Sequence, residues 1–250
     1  MRRLRVVGIG PGGPDQLTVE AVAALNEVEV FLVLDKGAGP GVADLAALRT
    51  QVLERHVRGG YRVLEVPDPP RDRAPADYLA AVRDWHEARA VALEDVVAGL
   101  PEEVGGFLVW GDPALYDSTL RVVETILARG RVSFDYDVVP GLGAVSLLAA
   151  RHRLVLNTVG AAVVVTTGRR LLADVAAGGD NLVVLLDGSL ACRALDGDAW
   201  DLWWGANLGT PDEALVAGRL GEALPAVETA RAAARAARGW VMDTYLLRRR

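Results

Sequence analysis

The chain has 250 residues, 51% hydrophobic and 24% charged, with a formal net charge of −6. That length and apolar content suit one large or two modest packed domains and exclude a disordered chain. The acidic balance argues against a nucleic-acid binder, and no apolar run approaches the roughly 20 residues of a membrane helix. In chain order, Leu4–Ile9 reads as a first strand ending in glycine; its apolar part, Val6 to Ile9, is too short for a signal peptide. Thr18–Leu25 reads as a helix that Asp15 or Thr18 can cap, and Val28–Leu34 as a second strand stopping at Asp35-Lys36-Gly37. A long helix over Gly41–Arg58 ends at Gly59-Gly60, and Arg62–Val66 is a strand. Pro67–Arg73 is a proline-rich charged loop, and Ala76–Leu100 one long helix. Gly106–Trp110 and Phe134–Val139 are strands, separated by a helix over Leu115–Arg129 that Gly130 ends, and a helix over Gly143–Arg151 follows.

Beyond that point the grammar changes. Ala161–Thr167, Asn181–Leu186, Ala199–Trp204 and Trp240–Tyr245 are β-like, with helical stretches over Arg169–Ala177, Pro211–Leu220 and Val227–Ala237. A polar, non-periodic stretch at His152–Thr158 marks a boundary. The reading is two α/β domains, residues 1–152 and 153–250, the first richer in parallel βαβ units. Lys36 is the one lysine among 27 basic residues, the rest being arginine, which grips carboxylates and phosphates bidentately. The lone Cys192 excludes an intramolecular disulfide and suits a reducing cytoplasm. His56, His86 and His152 have no zinc spacing, so no metal is expected.

Three glycine-centred segments each follow a strand and precede a helix: Gly8–Pro14, Trp110-Gly111-Asp112-Pro113 and Pro140-Gly141-Leu142-Gly143-Ala144. Such turns bring bare backbone and free N–H groups to a ligand at the carboxyl edge of a parallel sheet. Gly8-x-Gly10-x-x-Gly13 with Asp35 also fits the dinucleotide fingerprint, so a nicotinamide-dependent oxidoreductase is an alternative. Pro11 and Pro14 weigh against it, because they lengthen the turn and delay the helix.

Taken together, the segments resemble the tetrapyrrole (corrin/porphyrin) methylase family. The resemblance rests on Gly8-Ile9-Gly10-Pro11-Gly12-Gly13-Pro14-Asp15-Gln16-Leu17-Thr18, Trp110–Pro113 with Leu115-Tyr116, Pro140–Ala144, Leu182–Gly188, and Asn207-Leu208-Gly209-Thr210-Pro211. It implies the class III methyltransferase fold, two α/β domains with a ligand trough between them, binding S-adenosylmethionine and a tetrapyrrole substrate, as a homodimer. Cofactor contacts carried over on these motifs are Pro11, Trp110, Gly111, Asp112, Leu115, Tyr116, Gly143, Ala144, Leu186, Asp187, Asn207 and Leu208. Three positions depart from the family pattern. Trp110 replaces a small glycine, Gly143 replaces a hydroxyl residue, and Asp187 stands where many members carry methionine. Phe31–Gly37, Trp110–Thr119 and Trp204–Gly209 are most similar to members that methylate C1 of precorrin-5 and release acetate on the aerobic cobalamin route. Methylation of another ring carbon is the nearer alternative.

Transfer from a sulfonium needs two reactants held in line, worth on the order of 7–11 kcal/mol of barrier, and no nucleophilic triad. None is present in the sequence. Acetate release needs a water and a proton acceptor, for which Asp35, with Lys36 beside it, is the first choice and Asp117 and His152 weaker ones. Asp35 is equally a strand-end cap, Asp112 a turn or helix cap, and Trp110 and Tyr116 either stacking groups or core. Trp200, Trp203 and Trp204 fill the core or an interface. Arg71, Arg73 and Arg151 are candidates for substrate carboxylates.

Overall fold

Five short apolar runs of the first half form a wholly parallel sheet in the computed structural model, which describes residues 2–35, 37, 42–72, 75–100 and 103–250. They are β1 (Arg3–Gly8), β2 (Val30–Asp35), β3 (Arg62–Pro67), β4 (Val104–Val109) and β5 (Asp135–Val139), in the order β3-β2-β4-β1-β5. Helices α1 (Val19–Leu25), α2 (Val42–His56), α3 (Tyr78–Gly99) and α4 (Thr119–Arg129) connect them. The inner strands β1, β2 and β4 are mostly buried on both faces and read as apolar runs, whereas the edge strands β3 and β5 are partly exposed. Leu4, Val6 and Leu32 pack with Leu93 and Val97 of α3 and with Val122 and Ile126 of α4. Val7, Ile9 and Phe31 pack on the opposite face with Leu25 of α1 and with Val52 and Leu53 of α2.

This segregation follows from right-handed crossovers. The chain steps one way across the sheet from β1 to β2 to β3, and the other way from β3 to β4 to β5. Neighbouring strands β2 and β4 therefore send their helices to opposite faces, which opens a crevice at their carboxyl ends. Helix starts obey local chemistry. Thr18, not Asp15, caps α1, its hydroxyl accepting the Ala21 N–H at 2.9 Å. Helix α4 begins later than the Leu115 expected, because residues 112–118 form turns closed by Asp117, which accepts the Thr119 N–H at 2.6 Å.

By internal contacts the chain divides into one unit of Met1–Gly10 with Pro14–Leu142, and another of Pro11–Gly13 with Gly143–Arg250. The second unit holds α5 (Ala144–His152), β6 (Val164–Thr167), α6 (Leu171–Ala176), β7 (Asn181–Leu185), β8 (Trp200–Ala206), β9 (Ala214–Arg219), α7 (Leu220–Arg238) and β10 (Asp243–Arg249). Its sheet runs β6-β7-β10-β8-β9, with β6 and β7 parallel and the remaining pairs antiparallel. Helix α5, placed before the boundary in the sequence reading, packs here: His152 Nε2 donates to the Trp204 carbonyl at 2.9 Å.

The helix expected over Pro211–Leu220 is instead β9. Residues 214–219 pair in antiparallel register with 206–201 of β8. The hydrogen bonds of a neighbouring strand override an Ala/Leu-rich helical preference. Helix α7 starts at Leu220, seven residues before the expected Val227, and β10 lies three residues beyond the expected Trp240. Trp200 and Trp204 are buried in this unit's core, whereas Trp203 points outward beneath the Arg248 guanidinium, 5.4 Å from its ring centroid. Among the described residues, no helix is long and apolar enough to cross a membrane.

Candidate active site

In the first unit four glycines from three strand ends meet. Gly10 and Gly111 exchange backbone hydrogen bonds, 2.8 Å from the Gly111 N–H and 3.3 Å from the Gly10 N–H. A Cβ on Gly8 would lie 2.5 Å from the Gly141 nitrogen and 2.9 Å from the Gly111 oxygen. Gly111 is left-handed, at φ 66°. Only glycine satisfies both the spacing and that conformation. Asp112 locks the turn: one carboxylate oxygen accepts the Gly141 N–H at 3.0 Å and the other the Ala114 N–H at 2.8 Å. It therefore joins the β4 and β5 turns and acts as a turn aspartate toward its own loop. Behind it, Leu115 and Tyr116 are exposed, and Tyr116 holds the left-handed conformation that a non-glycine residue rarely adopts. Asp35 is exposed at the end of β2 and accepts the Gly37 N–H at 2.8 Å, the Asx turn of a strand-end cap. Lys36 and Arg73 lie outside the described residues.

The crevice between β2 and β4 is a cavity of about 140 Å³ lined by Leu32, Leu34, Val109, Trp110, Arg49 and Asp117, among others. The Arg49 guanidinium sits 5.9 Å from the Trp110 ring centroid. Burial pulls the Arg49 pKa below its ordinary value, and the Asp117 charge opposes that pull. Arg89, from α3, is committed elsewhere: it forms a fork with Asp68 and donates to Ser118 Oγ at 2.9 Å. His86 is pushed down by burial and then by Arg121, Arg89 and Arg71, with Asp117 opposing them.

In the second unit Pro11, Gly12 and Gly13 are buried, and Gly12 packs on a turn nearly 200 residues away. A Cβ there would lie 2.7 Å from Thr210 Cγ2 and 2.8 Å from the Leu208 oxygen. Asn207 begins that turn in the left-handed region at φ 49°; its Oδ1 accepts the Met242 N–H at 3.3 Å, while its buried Nδ2 has no hydrogen-bond partner among the described residues. Leu208 is buried. Leu186 is also left-handed, at φ 52°, yet 69% exposed. Strained residues of this kind gather where a ligand is held. Helix α5 starts at Gly143 with no side-chain cap, as expected where the family's hydroxyl residue is missing, and nothing lies within 4 Å of the position of a Cβ there. Among the described residues, no side chain caps its first N–H groups. Asp187, by contrast, is buried and saturated, accepting from Ser189, Ala191 and Tyr245. The Arg151 Nε–H donates to both carboxylate oxygens of Glu213, at 2.8 and 2.9 Å, so its charge is already matched.

Cys192 is buried beside Tyr245, and desolvation pushes its thiol up to about 11; the same burial drives the Tyr245 phenol upward. At pH 8 the thiol is protonated and poorly nucleophilic. We expect native protein to resist iodoacetamide at that pH and to take up one equivalent after denaturation, as read by intact mass.

The model of the family described as Tetrapyrrole (Corrin/Porphyrin) Methylases matches residues 3–224. The chain is a tetrapyrrole methylase. It is 43% identical over 252 residues to a precorrin-6A synthase [deacetylating] of Sinorhizobium sp, covering 100% of this chain and 96% of that protein. It superposes with TM-score 0.84 and 37% identity on a cobalamin-synthesis-related protein (CobF) of Corynebacterium diphtheriae, covering 99% and 98% of the two chains. A uroporphyrin-III C-methyltransferase of Thermus thermophilus, solved with S-adenosylhomocysteine, shares the fold at TM-score 0.59 and 22% identity, with coverage of 98% and 96%.

The dinucleotide alternative fails on topology. In a dinucleotide fold the glycine turn's strand neighbours the strand bearing the ribose acid. In this methylase β4 lies between β1 and β2, and α1 starts only at Val19. Of the expected contacts, Gly111 and Asp112 stand in one backbone mesh with Gly8, Gly10 and Gly141, and Pro11 joins Leu208 through the Gly12 turn. Trp110 faces the β2–β4 crevice, and Arg49, its neighbour there, went unnoticed in the sequence. Nothing in a single sequence separates it from the other arginines, since its significance comes from the strand order.

Proposed function

We propose that this methylase transfers a methyl group from S-adenosylmethionine to C1 of precorrin-5 and releases the acetyl group as acetate, giving precorrin-6A. The observation that carries this reading is the full-length likeness to the Sinorhizobium enzyme, which spans every motif segment. The residues present fit the cofactor: bare glycine backbone at the ends of β1, β4 and β5, exposed Leu115 and Leu186, an uncapped α5, and the unpartnered amide of Asn207. When bound, S-adenosylmethionine supplies an activated methyl group on a sulfonium.

The roles of the chain's own residues follow from their places. Gly111, Asp112, Gly143 and Ala144 present backbone to the cofactor, with Pro11 shaping the first loop. Leu115, Tyr116, Leu186 and Leu208 give it apolar surface, Asn207 donates from Nδ2, and Asp187 holds the turn that displays Leu186. Rigid positioning of this kind is the main catalytic requirement of the methyl step. For acetate release, water adds to the acetyl carbonyl, the bond from that carbon to the ring breaks, and its electron pair stays on the ring. Asp35, aided by Lys36, takes the water's proton. The enzyme works in a reducing cytoplasm as a homodimer.

Calorimetry with S-adenosylhomocysteine, with NADH in parallel, tests the cofactor. Binding of the first alone supports the reading, and binding of NADH alone overturns it. Incubation with precorrin-5 and S-adenosylmethionine should then yield methylated product and acetate in equal amounts. A methylated product without acetate would move the reaction to another ring carbon.

A further inference from the structure

We propose that the crevice at the carboxyl ends of β2 and β4 is a carboxylate pocket, with Arg49 as its anion-binding residue. This rests on the methylase reading above, because it is the tetrapyrrole chemistry that supplies carboxylates. The strand order makes the cavity: α2 and α4 leave on opposite faces, at the place where parallel sheets receive ligands. Two donors in its wall have nothing to donate to. Among the described residues Arg49 makes no hydrogen bond or ion pair, and the Trp110 Nε1–H is buried without an acceptor.

A half-buried arginine without a partner is costly unless a ligand supplies the missing charge. The opposing charge at hand, Asp117, spends one carboxylate oxygen on the Thr119 N–H at the start of α4. The neighbouring cation Arg89 is neutralised by Asp68, which leaves Arg49 as the unmatched cation of the lining among the described residues. Charge therefore favours an anion entering the pocket. Its volume of about 140 Å³ admits a carboxymethyl-sized group and not a macrocycle. The guanidinium fork matches a carboxylate in two parallel hydrogen bonds. Two sources share this chemistry: a peripheral carboxylate of the tetrapyrrole, and the acetate that the reaction releases.

The test uses the full chain and compares Arg49→Gln, Arg49→Lys and Asp117→Asn with the parent. The parent must first bind S-adenosylhomocysteine and turn over precorrin-5; if it does neither, the methylase reading itself fails. Given a working parent, Arg49→Gln should keep S-adenosylhomocysteine affinity within about twofold. If a peripheral carboxylate is the occupant, KM for precorrin-5 rises tenfold or more, and Arg49→Lys recovers part of it. If acetate is the occupant, KM holds and the inhibition of the parent by added sodium acetate disappears in the variant. Asp117→Asn keeps an oxygen for the Thr119 N–H and removes the competing charge. It should lower KM or strengthen acetate inhibition, and it provides the readout should Arg49→Gln fail to fold. Parent-like KM and parent-like acetate sensitivity in every folded variant would overturn the pocket.

Discussion

Gly141→Ala is expected to lose about 3 kcal/mol of stability or more. The added Cβ would press into the Gly111 carbonyl oxygen and stand 2.8 Å from Gly8 Cα. All of these are backbone atoms of strand-end turns, so no side-chain rotation relieves the contact. To make room, the β5 turn must withdraw from β1 and β4, breaking the Asp112–Gly141 hydrogen bond. For a chain of this size the loss corresponds to a fall of roughly 6–12 °C in Tm. Any molecule that folds should bind S-adenosylhomocysteine at least about tenfold more weakly, because under the proposed function the moved turn is one of those that would present backbone to the cofactor. Gly60→Ala is the matched control: nothing lies within 4 Å of its Cβ position, and its expected change is under about 1 kcal/mol. Thermal melts and calorimetry on both proteins check this. Equal melts for the two variants would show that the glycine mesh is not tight.

Asp187→Ala should cost about as much, for a different reason. The carboxylate is 4% exposed and accepts the Ser189 N–H and Oγ–H at 3.1 Å each, the Ala191 N–H at 2.7 Å and the Tyr245 hydroxyl at 2.5 Å. Truncation strands several buried donors at once, each worth about 1–3 kcal/mol when left unmade. Arg231 donates to the backbone carbonyl of the same residue, a hydrogen bond that the truncation leaves in place, so the loss comes from the side-chain contacts. Asp187→Asn retains acceptor capacity on one oxygen and should fall between parent and Ala. Hydrogen exchange read by mass spectrometry should locate the loss at 186–191 and β10. If Asp187→Ala melts like the parent while losing cofactor affinity, the residue contacts the cofactor directly and is not the anchor described above.

The positions of the glycine turns, the α/β class and most of the first-half elements were legible because parallel strands buried on both faces leave unbroken apolar runs. Val6–Ile9 and the Phe31 run are of that kind, and Gly130 marks a helix end through the left-handed conformation it takes. The second half was harder, because its antiparallel strands are short and one of them, Ala214–Arg219, has helix-favouring composition. Its strand state comes entirely from pairing with β8. The candidate site divides in the same way. Gly111, Asp112, Pro11 and Asn207 could be named from local motifs, since turn chemistry is written in a few adjacent residues.

The opposed placement of α2 and α4, the crevice between β2 and β4, and the isolation of Arg49 beside Trp110 depend on strand order, which no local pattern encodes. The saturation of Asp187 by Tyr245, 58 residues away, is likewise a tertiary fact. By itself the sequence determined the turns, the burial of the parallel strands and the family to which they belong. Only the tertiary structure decided which charges are matched, because matching depends on residues brought together from distant elements.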